Sequence, residues 1–310
     1  MALRLWVCGL AGLAAGIMPL AAQEHAPAAQ PQPVEAWAPR PAQRPYIEPN
    51  KPLTRFADIQ ARHRGQSDWT EMVALTDEFV ASYVSMAPGQ KTDRIFYADD
   101  RTFFIVRGGS IRFTIEGQEP FIATRGFMVQ VPPQLSFTLE AVGDAPALRF
   151  EVRPTAQPAY PIGETPRPIP GVEYVRASMR TRGTYDDVNR PWLDFEKDIV
   201  RDGKAPPRNV VRDPYFQVEM FRGPPVPTPP ATEIGQFRAD HPGFWFVMEG
   251  QEQFLLDGVP LFTAEEGDVV FKPTGRWHRV NATGTKTATR LAINARPGNL
   301  HWQPPLAKDK

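Results

Sequence analysis

Apolar positions recur at every second residue through much of the chain, in short runs that end at glycine or proline. Residues 103–106, then Ile111, Phe113 and Ile115, then 127–131 read as three strands, punctuated by Gly108, Gly109, Gly117 and Gly126 and closed by Pro132. A second series follows the same plan. Residues 244–248, 253–256 and 269–271 are separated by Gly250, Gly258 and Gly267, and Pro273 closes the set. Each series is strand, glycine turn, strand, glycine turn, loop, then Gly-x5-Pro. Such a repeat predicts two all-β units of one fold, 68–153 and 209–296, with sheets paired as in a jelly roll so that strand edges are hidden. A further strand is predicted over 79–86, and the capping-box spacing of Asp68 and Glu71 predicts one short helix ahead of it.

The segments outside these units have a different texture. Arg4, an apolar run over 5–20 and the small residues Ala21 and Ala22 make 1–22 an export signal, too short and too interrupted by glycine to serve as a membrane span. Residues 23–67 are rich in alanine, proline and glutamine and read as an extended tether, with His25 and His63 solvated. Residues 154–208 are proline-rich but carry Trp192, Leu193 and Phe195, which a plain linker would not need; they are expected to anchor this segment across both barrels. The tail, 297–310, is expected on the surface with His301 away from any site.

Composition narrows the function. Lysine plus arginine equals aspartate plus glutamate at 35 each, so no charge imbalance favours nucleic acid. The 35 prolines favour strands and stiff loops over a helical bundle. Cys8, the one cysteine, lies within the export signal, so the mature chain has no thiol chemistry. The expected location is the periplasm or the exterior, with no integral membrane segment once the signal is removed.

The densest chemistry lies in 267–281. Val269, Val270 and Phe271 form a strand, Pro273 and Gly275 reverse it, and His278 follows on a second strand with Arg276 and Val280 on the same face. An inward histidine there is a metal ligand, a proton shuttle, or a buried ring satisfied by a backbone carbonyl. The order Gly267, Pro273, Gly275, His278 resembles the second motif of the cupin family, G-x5-P-x-G-x2-H-x3-N, with Asn281 one residue early. With the internal repeat, the resemblance is to a bicupin: two tandem cupin-type barrels behind a proline-rich N-terminal tether.

That resemblance implies a divalent metal held by three histidines and one glutamate. The first barrel departs from it throughout, with Phe137 where the second-motif histidine would stand and Arg101 in place of the glutamate. In the second barrel His278 is in place and His241 lies nearby, but Gly243 stands where the glutamate belongs, and Gln236 and Arg238 near the other two histidine positions. The cofactor expectation is therefore none or one divalent transition metal, with His241 and His278 as its ligands. The leading expectation for function is an exported bicupin that binds a small polar or anionic organic molecule beside Trp245, Arg276, His278 and Arg238, the first barrel being structural and supporting a homodimer. The alternatives are a metal-dependent oxygenase, isomerase or lyase, and a metal-free enzyme using His278 as general acid or base.

Overall fold

The two-residue alternation is realised as antiparallel strands. The computed structural model describes residues 44–153, 158–163, 165–180, 182–226, 236–239, 241–295 and 300–303, with backbone alone for 236–239 and 300–303. Helix α1 (Phe56–Arg62) is followed by β1 (Trp69–Leu75), β2 (Val80–Met86), β3 (Ile95–Phe96), β4 (Thr102–Gly108) and β5 (Ser110–Ile115). Then come β6 (Phe121–Thr124), β7 (Phe127–Val131), β8 (Phe137–Val142), β9 (Ala147–Arg153), β10 (Tyr160–Pro161) and β11 (Trp192–Asp194). A π-helix (Phe195–Arg201) leads into the second series: β12 (Asn209–Arg212), β13 (Gln217–Gly223), β14 (Gln236–Ala239), β15 (Gly243–Glu249) and β16 (Gln251–Leu256). The chain continues through β17 (Val259–Glu265), β18 (Val269–Lys272), β19 (His278–Thr283), β20 (Ala288–Asn294) and β21 (Leu300–Gln303).

Four sheets result, in the orders β1-β2-β9-β4-β7-β11, β10-β3-β8-β5-β6, β12-β13-β20-β15-β18 and β17-β16-β19-β14-β21. The third repeats the first five strands of the first, which β11 extends by one, and the fourth repeats the second in order. The architecture is all-β, two tandem jelly-roll barrels. Alternation along β4 and β15 decides what each residue covers. Phe104 and Val106 fill the first barrel and Trp245 and Val247 the second, while Phe103, Ile105, Phe244 and Phe246 enter one core shared by both. There Phe150 meets Phe246 at 4.7 Å and Phe244 at 5.8 Å. Each such buried ring contributes roughly 1.5–3 kcal/mol, so the barrels are held together by a core and not by surface pairing. Gly109 and Gly250 show why the glycine punctuation recurs. Both have positive φ, +65° and +72°, and a Cβ would approach the carbonyl oxygens of Pro146 and Thr287 to 2.5 Å.

The segment leading each barrel packs against the other barrel. Thr54 exchanges backbone hydrogen bonds with Val269 in β18, and Phe56 lies over Gly267 and stacks on Tyr83 at 5.1 Å. Reciprocally, β11 pairs with β7 and Phe195 donates its amide to the Gly126 carbonyl. Residues 44–67, read from composition as the end of a tether, are therefore part of the body. The reason is apolar: Ile59 is fully buried in the shared core, where Phe195 and Ile199 also lie. The short helix starts at Phe56 and not near Asp68, where β1 runs instead. Glu71 does not cap it but binds Arg62 and His63. His63 is not simply solvated, since its ring stacks on Trp69 at 4.0 Å. Of the three expected anchors, Phe195 and Leu193 pack on the shared core, while Trp192 stays 44% exposed against Phe127 and Phe121. No helix among the described residues is long and apolar enough to cross a membrane.

Candidate functional site

The second barrel encloses a cavity of about 300 Å³ between β13, β15, β18, β19 and β20. Strand alternation places its walls. Phe221 and Glu219 come from β13, Trp245 from β15, Lys272 from β18, His278 and Val280 from β19, and Arg290, Ala292 and Asn294 from β20, with Arg208 and Arg279 completing the lining. Gly275, at φ +76°, and Pro273 make the reversal that brings His278 to the start of β19.

His278 packs edge-on against Trp245, ring centroids 4.9 Å apart. Its Nδ1 lies 3.2 Å from the Arg276 carbonyl oxygen, which can only accept. Nδ1 therefore carries the proton and Nε2 is the acceptor nitrogen. Burial, then the charge of Lys272, depresses the imidazole pKa to about 3, so the ring is neutral at physiological pH. Arg290 meets both carboxylate oxygens of Glu252 at 3.1 Å, and Glu252 is wholly buried. The Arg290 guanidinium lies 4.6 Å from the Phe221 ring centroid, Arg208 lies 3.9 Å from it, and Arg208 binds Glu219 at 3.0 Å. Arg290 Nε is a buried donor with no partner among the described residues. Lys272, only 2% exposed, donates to the His241 carbonyl at 3.0 Å. Four cationic side chains thus line the cavity against one carboxylate, Glu219.

No family model matches the sequence, and no curated protein matches it in sequence. Solved structures do. Salicylate 1,2-dioxygenase from Pseudaminobacter salicylatoxidans superposes with a TM-score of 0.58 at 12% identity, over 81% of this chain and 87% of that one. Its adduct with gentisate gives 0.54 at 12%, over 81% and 84%. A cupin 2 conserved barrel domain protein from Leptotrichia buccalis matches at 0.49 and 14%, over 79% and 96%. The fold is that of a bicupin.

Within this bicupin fold the expected metal ligands do not assemble. The cavity offers one imidazole, one carboxylate already bound to Arg208, and Asn294, amid four positive charges. Among the described residues no three of His, Cys, Asp and Glu gather into a metal-binding group. That donor set does not fit a divalent cation, whose charge the lining would repel. His241 contributes its carbonyl to Lys272 and is not in the cavity wall. Gly243 lies on the inward face of β15 with Trp245, but its own side-chain position is taken by β20. A Cβ there would lie 2.6 Å from Asn294 Oδ1 and 2.9 Å from the Ile293 carbonyl oxygen.

Arg276 also differs from expectation. Its guanidinium donates to the Asp257 carbonyl and, at 2.6 Å, to that of Arg44, and it lies 4.8 Å from the Tyr46 ring centroid. It fastens the leading segment to the second barrel, outside the cavity wall. Arg238 sits in β14 opposite His301 of β21, and its side chain falls outside the described residues. His278 and Trp245 are thus the two expected residues brought together. Lys272 and Arg290 are the ones sequence reasoning missed as site residues, although period two placed them on the inner face with Val270 and Ala292.

The first barrel fills the same space with hydrocarbon. Phe137 stands at the place of His278 and meets Phe104, the counterpart of Trp245, edge-on at 5.8 Å. Val131 occupies the place of Lys272. Arg101 turns outward to Asp213, at 3.3 Å, and the Thr184 carbonyl, so it serves the junction between barrels.

Proposed function

We propose that the second barrel binds a small organic anion, with Lys272 and Arg290 supplying charge and Trp245 and Phe221 the apolar walls, and with the neutral His278 ring packed beside Trp245. The observation that carries this reading is Arg290, which lines the cavity with a buried Nε donor still unpartnered among the described residues. Buried donors are costly to leave unmade, and a carboxylate would satisfy this one. A cavity of about 300 Å³ suits a single-ring acid. Salicylate and gentisate, named for the superposing dioxygenase, are therefore the first probes.

The test is isothermal titration of both acids into the mature protein and into Lys272→Met. A hydrogen bond to a charged group is worth roughly 1.5–3 kcal/mol, so the substitution should weaken binding by about 10- to 150-fold. Equal affinities, or no binding of any aromatic or aliphatic acid tried, would sink the reading. Elemental mass spectrometry on the same preparation decides the competing metal-enzyme reading, which requires near-stoichiometric metal that His278→Ala removes. Residues 1–22 support export, and the mass of the mature N-terminus in the native host tests it.

A further inference from the structure

The two halves also differ on the flank where the segment leading the other half crosses each barrel. In the second half, Phe271 is 4% exposed and meets the Tyr46 ring at a centroid distance of 6.4 Å, so that flank is packed with aromatic carbon. The counterpart of Phe271 is Gln130, four residues after Gly126 as Phe271 is four after Gly267. Around Gln130 there is instead a crevice of about 260 Å³ at the junction of the two barrels, walled by Phe103, Met128, Trp192 and Val210, with Arg190 among the side chains that line it.

Gln130 is 3% exposed and its amide has a fixed orientation. Nε2 donates to the Val210 carbonyl at 3.2 Å, an acceptor that the amide oxygen could not face. Oε1 is left as a buried acceptor with no partner among the described residues. A buried acceptor left unsatisfied destabilises the fold, and Gln130 is among the residues that line this crevice. We infer that this junction crevice is a second small-molecule site, taking a flat, mainly apolar ring that carries one O–H or N–H donor for Gln130 Oε1. Its ligand differs from the organic anion proposed for the second barrel, and the inference stands independently of that reading, although Arg208 lines both cavities.

Fluorine NMR with 4-fluorophenol and with fluorobenzene tests this on the whole mature protein. The first probe has the donor and the second lacks it. Wild-type protein should bind 4-fluorophenol at millimolar concentration and prefer it to fluorobenzene. Gln130→Phe, which installs the residue used in the other half, should fill the crevice and abolish binding of both while the thermal midpoint holds or rises. Gln130→Leu keeps the volume but loses the acceptor, so 4-fluorophenol should weaken by about fivefold to tenfold and fluorobenzene should not. No binding of 4-fluorophenol to wild type overturns the inference, as does binding that survives Gln130→Phe in folded protein. If Gln130→Phe fails to fold, Gln130→Leu decides alone: an unchanged preference for the phenol overturns it.

Discussion

His278→Phe gives the sharpest test of the site, because the first barrel already shows a phenyl ring accommodated at that place. In the wild-type fold the imidazole titrates near pH 3, whereas in the unfolded chain it titrates near its ordinary value of about 6.5. The folded-state pKa is depressed, so the group contributes stability that is fully present above the unfolded value and is lost as pH falls toward the folded one. Between pH 7 and pH 5 only the unfolded chain takes up this proton. Linkage over that interval gives a loss of about 1.9 kcal/mol, a factor of about 25 in the folding equilibrium. Carboxylates held low by their partners, such as Glu116 at about 2 beside Arg182, titrate below this window. Others are common to both proteins and cancel in the difference. Urea unfolding at the two pH values should therefore show wild type losing about 2 kcal/mol more than His278→Phe. Parallel losses, within about 0.5 kcal/mol, would mean the ring is not buried as a neutral acceptor, and the argument for its role in the cavity would fail.

Three further substitutions separate the roles of neighbouring residues. Arg276→Ala should free residues 44–55 from the second barrel, seen as faster hydrogen exchange at the Thr54 and Val269 amides, while organic-anion affinity changes less than threefold. Gly243→Glu, which restores the carboxylate that the cupin motif would have, should destabilise by about 1–3 kcal/mol, because its Cβ collides with Asn294 and the Ile293 carbonyl; a stable protein that then takes up stoichiometric metal would refute this. Phe137→Ala should cost about 3–5 kcal/mol by opening a cavity in the first barrel, and titration calorimetry on the folded fraction should find anion binding unchanged.

The strands were legible because both barrels obey period two between positive-φ glycines, a local signal that needs no tertiary information. The repeat added the pairing of sheets, and the alternation along β15 correctly aimed Trp245 inward. What the sequence hid was set by distant chain. Proline and alanine before residue 56 disguised a segment that Phe56 and Ile59 bury, since the surface they cover includes Gly267, more than two hundred residues away, and a core that both barrels build. Arg276 and His278 share a face on paper, yet the tight turn at Gly275 sends the guanidinium to the carbonyls of Arg44 and Asp257. Gly243 stands where the glutamate of the motif belongs, and only the packing of Asn294 and the Ile293 carbonyl shows that a side chain there is crowded.

Laying one half on the other shows how a single plan has been filled in two ways. In the first barrel Phe104, Phe137 and Val131 close the interior, and the flank behind it opens around Gln130. In the second, Trp245, His278 and Lys272 leave the interior open, and Phe271 with Tyr46 closes the flank. A folded chain tolerates few cavities because each forfeits packing, and at these two matched positions one half is filled where the other is left open. Arg208 lines both cavities, standing between the inter-barrel segment and β12. Occupancy of one cavity is therefore positioned to be felt at the other. The coupling would appear as a change in affinity for an organic anion in the presence of saturating 4-fluorophenol, equal in size and sign when the order of addition is reversed, and lost in Arg208→Ala. Independent binding in both orders would confine Arg208 to its stack on Phe221.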